Sequence, residues 1–168
     1  MVNKIKHFEF KEKNESIIKF IDKIENEIGI IPRVYKEFLL KYNGGLPNND
    51  FDLFYNRKKT YSISLYYGFY NANKYDHASI KDRLSFLIFP EKTIPIATDG
   101  VGNDYLLFID NGSIYFWNHE NSDVFNKNLK NLKKVANSFS ELIGKIEKSS
   151  PINRDIKITE TDTDFIIE

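Results

Sequence analysis

Cysteine is absent from the 168 residues, and that one absence removes disulfides, thiolate metal sites and cysteine nucleophiles together. Also missing is any apolar run near the ~18–20 residues that span a bilayer. The start from Met1 to Phe10 carries Lys4, Lys6 and His7 and lacks the apolar stretch of a secretory leader. The expectation is a cytoplasmic chain with no membrane partner. Net charge is missing as well, since 24 Lys+Arg balance 24 Asp+Glu. A generic polyanion binder carries a clear basic excess, so no direct nucleic-acid partner is expected. A disordered chain pairs low hydrophobicity with high net charge, which does not fit either. No G-x-S-x-G, no phosphate loop and no repeat of ~20–50 residues occurs, so neither a cofactor nor a catalytic group is expected.

What is present is core material: 41% apolar residues, with 14 Phe and 10 Tyr. A chain of this length buries about 70% of its unfolded surface in a single domain. The zero net charge conceals blocks. Residues 1–60 carry net +3, 61–126 net −4, 127–150 net +4 and 151–168 net −3. Such segregation bears on partners and encounter rates rather than on fold.

Ile17, Phe20, Ile21, Ile24 and Ile28 recur at helical spacing, with Asn14 as N-cap and Gly29 as terminator. Pro32 opens a second helix with Tyr35, Phe38, Leu39 and Tyr42 on its apolar face, closed by Asn43-Gly44-Gly45. Strands are predicted at 51–55, 61–66, 94–97, 104–109 and 113–117, with a short helix somewhere in 75–84. Asn111-Gly112 between the last two strands predicts a hairpin with a type I′ turn. Ser138-Phe139-Ser140-Glu141 has capping-box spacing, so a helix is expected over 138–148, with an upstream extension through Leu129, Leu132 and Val135 as the alternative start. Residues 155–168 alternate enough for one or two edge strands. Strands in the centre and helices at both ends make an α+β fold with a largely antiparallel sheet.

The most conspicuous polar cluster, Asp99-Gly100-Val101-Gly102-Asn103-Asp104, fits neither a dinucleotide fingerprint, because a strand follows it, nor a calcium loop, because no distal Glu stands at the required spacing. It reads as a tight turn that could also serve recognition. His119-Glu120 lacks the second His of a zinc-protease helix and has no marked partner for acid–base work. Lys127, Lys130, Lys133 and Lys134 read as a solvated face of a helix or turn. The tyrosines at 55, 61, 66, 67, 70 and 75 either pack half-buried or line a binding surface.

The order of these motifs carries more than any one of them. Residues 31–45, IPRVYKEFLLKYNGG, resemble the LP-x-x-Y-x-x-FL-x-x-NGG signature of the SMI/KNR-type members of the SUKH superfamily. IPIATD at 94–99 with Gly102-Asn103, GSIYFWNHE at 112–120 and VANSF at 135–139 resemble three further blocks of that family, in the same order. The resemblance covers about residues 14–148 and implies one α+β domain over 1–150, with 151–168 as an acidic extension. It further implies a protein that acts by binding: bacterial members serve as immunity proteins that neutralise a cognate polymorphic toxin, a nuclease among the candidates, and eukaryotic relatives serve as regulatory or scaffold proteins. A nuclease needs cations to meet phosphate, so an acidic surface is the expected inhibitory face. The residues expected there are Asp99, Asn103, Asp104, His119, Glu120 and Asp123, with Glu160, Asp162 and Asp164 of the tail as a second acidic face. The scaffold alternative places its contacts on Tyr66 and Tyr67.

Overall fold

A computed structural model describes residues 4–7, 14–48, 52–56, 58–69, 79–86, 88–121 and 132–148. Strand β1 (Ile5–His7) precedes helix α1 (Asn14–Ile28), whose stripe of Ile17, Ile21 and Ile24 is buried as its spacing requires. Helix α2 (Arg33–Tyr42) follows Pro32, where the fixed proline φ suits the position before the first turn. It ends on Asn43 in the left-handed conformation (φ 47°), whose N–H donates to the Leu39 carbonyl. The next residue must be glycine: at Gly44 (φ 84°) an added Cβ would stand 2.6 Å from the Tyr66 carbonyl oxygen. That close approach lets the chain turn directly into strand β2 (Gly45–Pro47).

Strands β3 (Leu53–Asn56) and β4 (Lys59–Ser62) form a separate hairpin, and β5 (Leu65–Tyr66) returns to the main sheet. The short helix expected in 75–84 is α3 (Ile80–Ser85), capped by the Ser79 hydroxyl, which accepts the Asp82 N–H at 3.0 Å. Then come β6 (Thr93–Thr98), β7 (Asp104–Phe108), β8 (Ile114–Trp117), β9 (Leu132–Ala136) and helix α4 (Phe139–Lys145). The main sheet has seven strands in the order β1-β2-β5-β6-β7-β8-β9, and its pairs are antiparallel. The fold is α+β.

Three local expectations need correction. The β7–β8 connection is not a type I′ turn, because Gly112 alone takes a positive φ (68°) and Asn111 does not. Asn111 instead accepts the Ser113 N–H on its side-chain oxygen at 2.9 Å, and the Gly112 N–H closes on Phe108 at 2.8 Å. Residues 132–136 are a strand, so Lys133 and Lys134 stand exposed on β9 rather than on a helix or turn, and the upstream helix start is excluded. The α4 helix stops at Lys145, three residues short of the expected end. Lys127, Lys130 and the strands expected in 155–168 lie outside the described residues.

Helices α1, α2 and α4 pack their apolar faces on one side of the sheet. Phe139 of α4 meets Tyr35 and Phe38 of α2 with ring centroids 5.0 and 4.9 Å apart. Strand alternation sends Tyr105 and Leu107 into that core and Leu106 to the opposite face, where it joins Phe89 and Trp117 in a second, smaller cluster. The β3–β4 hairpin rests against the far end of the sheet: Tyr61 packs edge-on against Phe116 at 5.1 Å, and the Asn56 amide donates to the Lys134 carbonyl at 2.9 Å.

Candidate functional site

Because Asp104 pairs with Trp117 across β7 and β8, the residues just outside that rung, Asn103 and His119, are brought side by side at one end of the sheet. Asp99 organises the loop before them. Its Oδ1 accepts the Val101 and Asn103 N–H groups at 3.0 and 3.2 Å, and its Oδ2 accepts the Asn103 side-chain amide at 2.6 Å. The freed Asn103 Oδ1 accepts the His119 backbone N–H at 3.1 Å and lies 2.9 Å from His119 Nδ1. That contact is a hydrogen bond when Nδ1 carries the proton. Gly102 (φ 101°) sits where an added Cβ would stand 3.0 Å from the His119 ring, so any other residue would strain the backbone and press on that ring. The loop is thus tied from Asp99 through Asn103 to the 3-10 turn at His119–Asn121.

The same ties display what they do not use. Val101 is 72% exposed at the tip between two glycines, an apolar position that the sequence reading did not single out. The signal available in the sequence was a branched apolar residue set between two glycines in a polar turn. Glu120 is exposed beside His119, with its N–H held by the Asn118 side chain at 2.9 Å.

Asp104 is corrected from surface to interior. It is fully buried, accepts the Tyr67 hydroxyl at 2.6 Å and forms an ion pair with Arg83. Burial raises its carboxyl above the ordinary value, and the Arg83 charge and Tyr67 hydrogen bond oppose that rise. Arg83 lies over the Phe86, Phe89 and Tyr67 rings at 5.3, 5.6 and 6.0 Å. Tyr66 and Tyr67 are likewise buried, because helix α2 and the α3 region cover both sides of β5 and its exit. All three belong to the scaffold, and the scaffold reading loses the two tyrosines it relied on. Tyr61 is buried too. Asp123, Glu160, Asp162, Asp164, Tyr70 and Tyr75 lie outside the described residues, as does the Tyr55 side chain.

Beside the Asp99 loop opens a cleft of about 220 Å3 lined by Lys59, Tyr61, Asp99, Phe116, Asn118 and Lys133 among others. Lys59 beside Lys133 holds the Lys133 ammonium below its ordinary value. Among the described residues no group of three or more His, Asp or Glu is placed to hold a metal ion, and no helix is long and apolar enough to cross a membrane.

An antiparallel sheet backed by helices, with a hydrogen-bonded loop at one end and an exposed apolar residue at its tip, defines an α+β domain. The chain belongs to the SMI1 / KNR4 family (SUKH-1), whose sequence model matches residues 19–145. It is also similar to the SPbeta prophage-derived uncharacterized protein YokK of Bacillus subtilis (strain 168), with 32% identity over 140 residues, covering 73% of this chain and 70% of that protein.

Proposed function

We propose that this chain is an immunity protein that neutralises a cognate toxin by direct, non-catalytic binding, through the face built from Asp99, Val101, Asn103, His119 and Glu120. Membership of a family rich in toxin-immunity proteins supports this at the level of class. The observation that carries the choice of face is the Asp99–Asn103–His119 hydrogen-bond chain. It holds a loop in one conformation before any partner arrives, and preorganisation reduces the ordering cost of association. The exposed Val101 supplies an apolar centre and Glu120 a solvated charge at the rim, the usual distribution of an interface. A basic partner surface such as that of a nuclease would be steered by such a rim. The prophage origin of the Bacillus subtilis relative accords with a role in conflict between genomes.

The test is co-expression with a candidate toxin domain, sought among the products of neighbouring genes. Cells should survive with the wild-type chain and die with a Val101→Asp, Asn103→Ala, Glu120→Lys variant that keeps the wild-type melting temperature. Full protection by that variant would exclude the face.

A further inference from the structure

The cleft beside the recognition loop has an electrostatic problem that the described residues leave open. Tyr61 rests on Phe116, and Lys59 shares its side of β4 by strand alternation. Lys133 is the register partner of Phe116 across β8 and β9. Two ammonium groups from distant segments therefore converge on one concavity. Among the described residues no ion pair involves either of them. The one carboxylate in the cleft, Asp99, already accepts three hydrogen bonds within its own loop. Like charges so placed favour an incoming anion.

The last described residues before the acidic tail stand at the same hairpin. The Glu147 N–H donates to the Leu53 carbonyl at 2.7 Å, which ties the exit of α4 to the β3–β4 hairpin. From that rung to the one holding Lys59 is about 10 Å along the strand. The seven residues from Lys148 to Asp155 extend to about 24 Å. Beyond Pro151 the sequence carries Asp155, Glu160, Asp162, Asp164 and Glu168 against Arg154 and Lys157.

We propose that the cleft lined by Lys59 and Lys133 is a carboxylate-binding site, and that its occupant is this chain's own acidic segment 151–168. Tethering gives these carboxylates an effective concentration in the millimolar range, which an untethered acidic peptide must exceed to displace them. The tail then neutralises the lysines next to Asp99, so the recognition loop is read without a competing positive field. This inference stands independently of the identity of the partner.

The test is trace acetylation of the full-length protein, read lysine by lysine by mass spectrometry, against an Asp155→Asn, Glu160→Gln, Asp162→Asn, Asp164→Asn variant. A carboxylate beside an ammonium keeps it protonated and unreactive, so Lys59 and Lys133 should acetylate at least about threefold faster in the variant. The exposed Lys19 and Lys81 should not change. In the wild-type protein about 0.5 M salt should reproduce part of the increase. Carbodiimide coupling of a mixture of isotopically light and heavy wild-type protein should join Lys59 or Lys133 to residues 155–168 within one chain. Unchanged rates at Lys59 and Lys133, or coupling only between copies, would overturn the proposal.

Discussion

Asp104 shows how much one residue's surroundings alter its meaning. In sequence it reads as one more acid in an acidic block. In the fold it is a buried carboxylate held by Arg83 and Tyr67, on the face of β7 that also carries Leu106. Removing one partner of such a pair strands the other, which costs about 3–5 kcal/mol where the site is fully enclosed. Arg83 keeps 20% side-chain exposure, so Asp104→Ala should cost about 3 kcal/mol, seen as a lower urea midpoint with an unchanged slope. An Arg83→Met, Asp104→Leu double variant should recover much of that loss, because neither charge is then left buried. A loss below about 0.5 kcal/mol for Asp104→Ala would match an ordinary surface site and contradict this account. Gly102 offers a second residue-scale check. Gly102→Ala forces a side chain into a positive φ against the His119 ring, and should cost about 1 kcal/mol while weakening partner binding more than stability. The clue to the burial of Asp104 was local, since alternation puts it in phase with Leu106. Its partner Arg83, 21 residues earlier, carried no such clue, because only the closed sheet brings them together.

At the scale of elements, helix α4 depends on contacts at both ends. Ser138 caps its start by accepting the Glu141 N–H at 3.1 Å. Glu141 reaches back one residue further than a capping box requires, accepting the Asn137 backbone N–H at 2.9 Å and its amide at 2.6 Å. At the other end the Lys4 ammonium donates to the carbonyls of Ile143, Gly144 and Ile146 at 3.1, 3.2 and 2.6 Å, a cation at the negative end of the helix. Lys4→Met should therefore lower stability by about 1 kcal/mol and speed amide exchange in the last turn of α4. The hydrogen bond from Lys145, then those from Asn137, hold the Glu141 carboxyl down at about 2 against an ordinary 4.5. A depressed folded-state value means stabilisation that is complete above pH ~4.5 and is lost as pH falls toward ~2. Glu141→Gln should be less stable than wild type at pH 7 and match it near pH 2 in a denaturation series. A gap that persists undiminished at pH 2 would assign the effect to shape rather than charge.

The elements that were legible in the sequence had strong punctuation: Asn14 and Gly29 around α1, Pro32 and Asn43-Gly44 around α2, and Ser138 before α4. Those that were not were short or out of phase. Strands β1 and β2 have three residues each, too few for alternation to register. In β9 Val135 and Ala136 are both buried, because a register shift opposite Ile114 and Tyr115 breaks the period of two, and the preceding Lys133 and Lys134 are both exposed. The upstream leucines then imitate a helical stripe.

For the whole molecule, the neutral total becomes a surface with a basic cleft and an acidic loop as neighbours. The loop was legible as a tight turn, since Asp, Gly, Gly and Asn at 99–103 are turn-forming residues. The cleft was not, because Lys59 and Lys133 are 74 positions apart in sequence and meet only when the hairpin closes on β8. Membership of the SMI1 / KNR4 family is shown, and under the proposed function the hydrogen-bonded loop is the surface that meets the partner. If that is the mode of action, a partner should engage one face in fixed proportion and leave unchanged. The most direct measurement is calorimetric titration of the purified chain with a candidate toxin domain, sought among the products of neighbouring genes. The account predicts saturable one-to-one binding, weakened at least about 30-fold by Val101→Asp, Asn103→Ala, Glu120→Lys, a loss of hot-spot size. Undiminished affinity in that variant, or chemical alteration of the toxin by substoichiometric amounts of this chain, would contradict it.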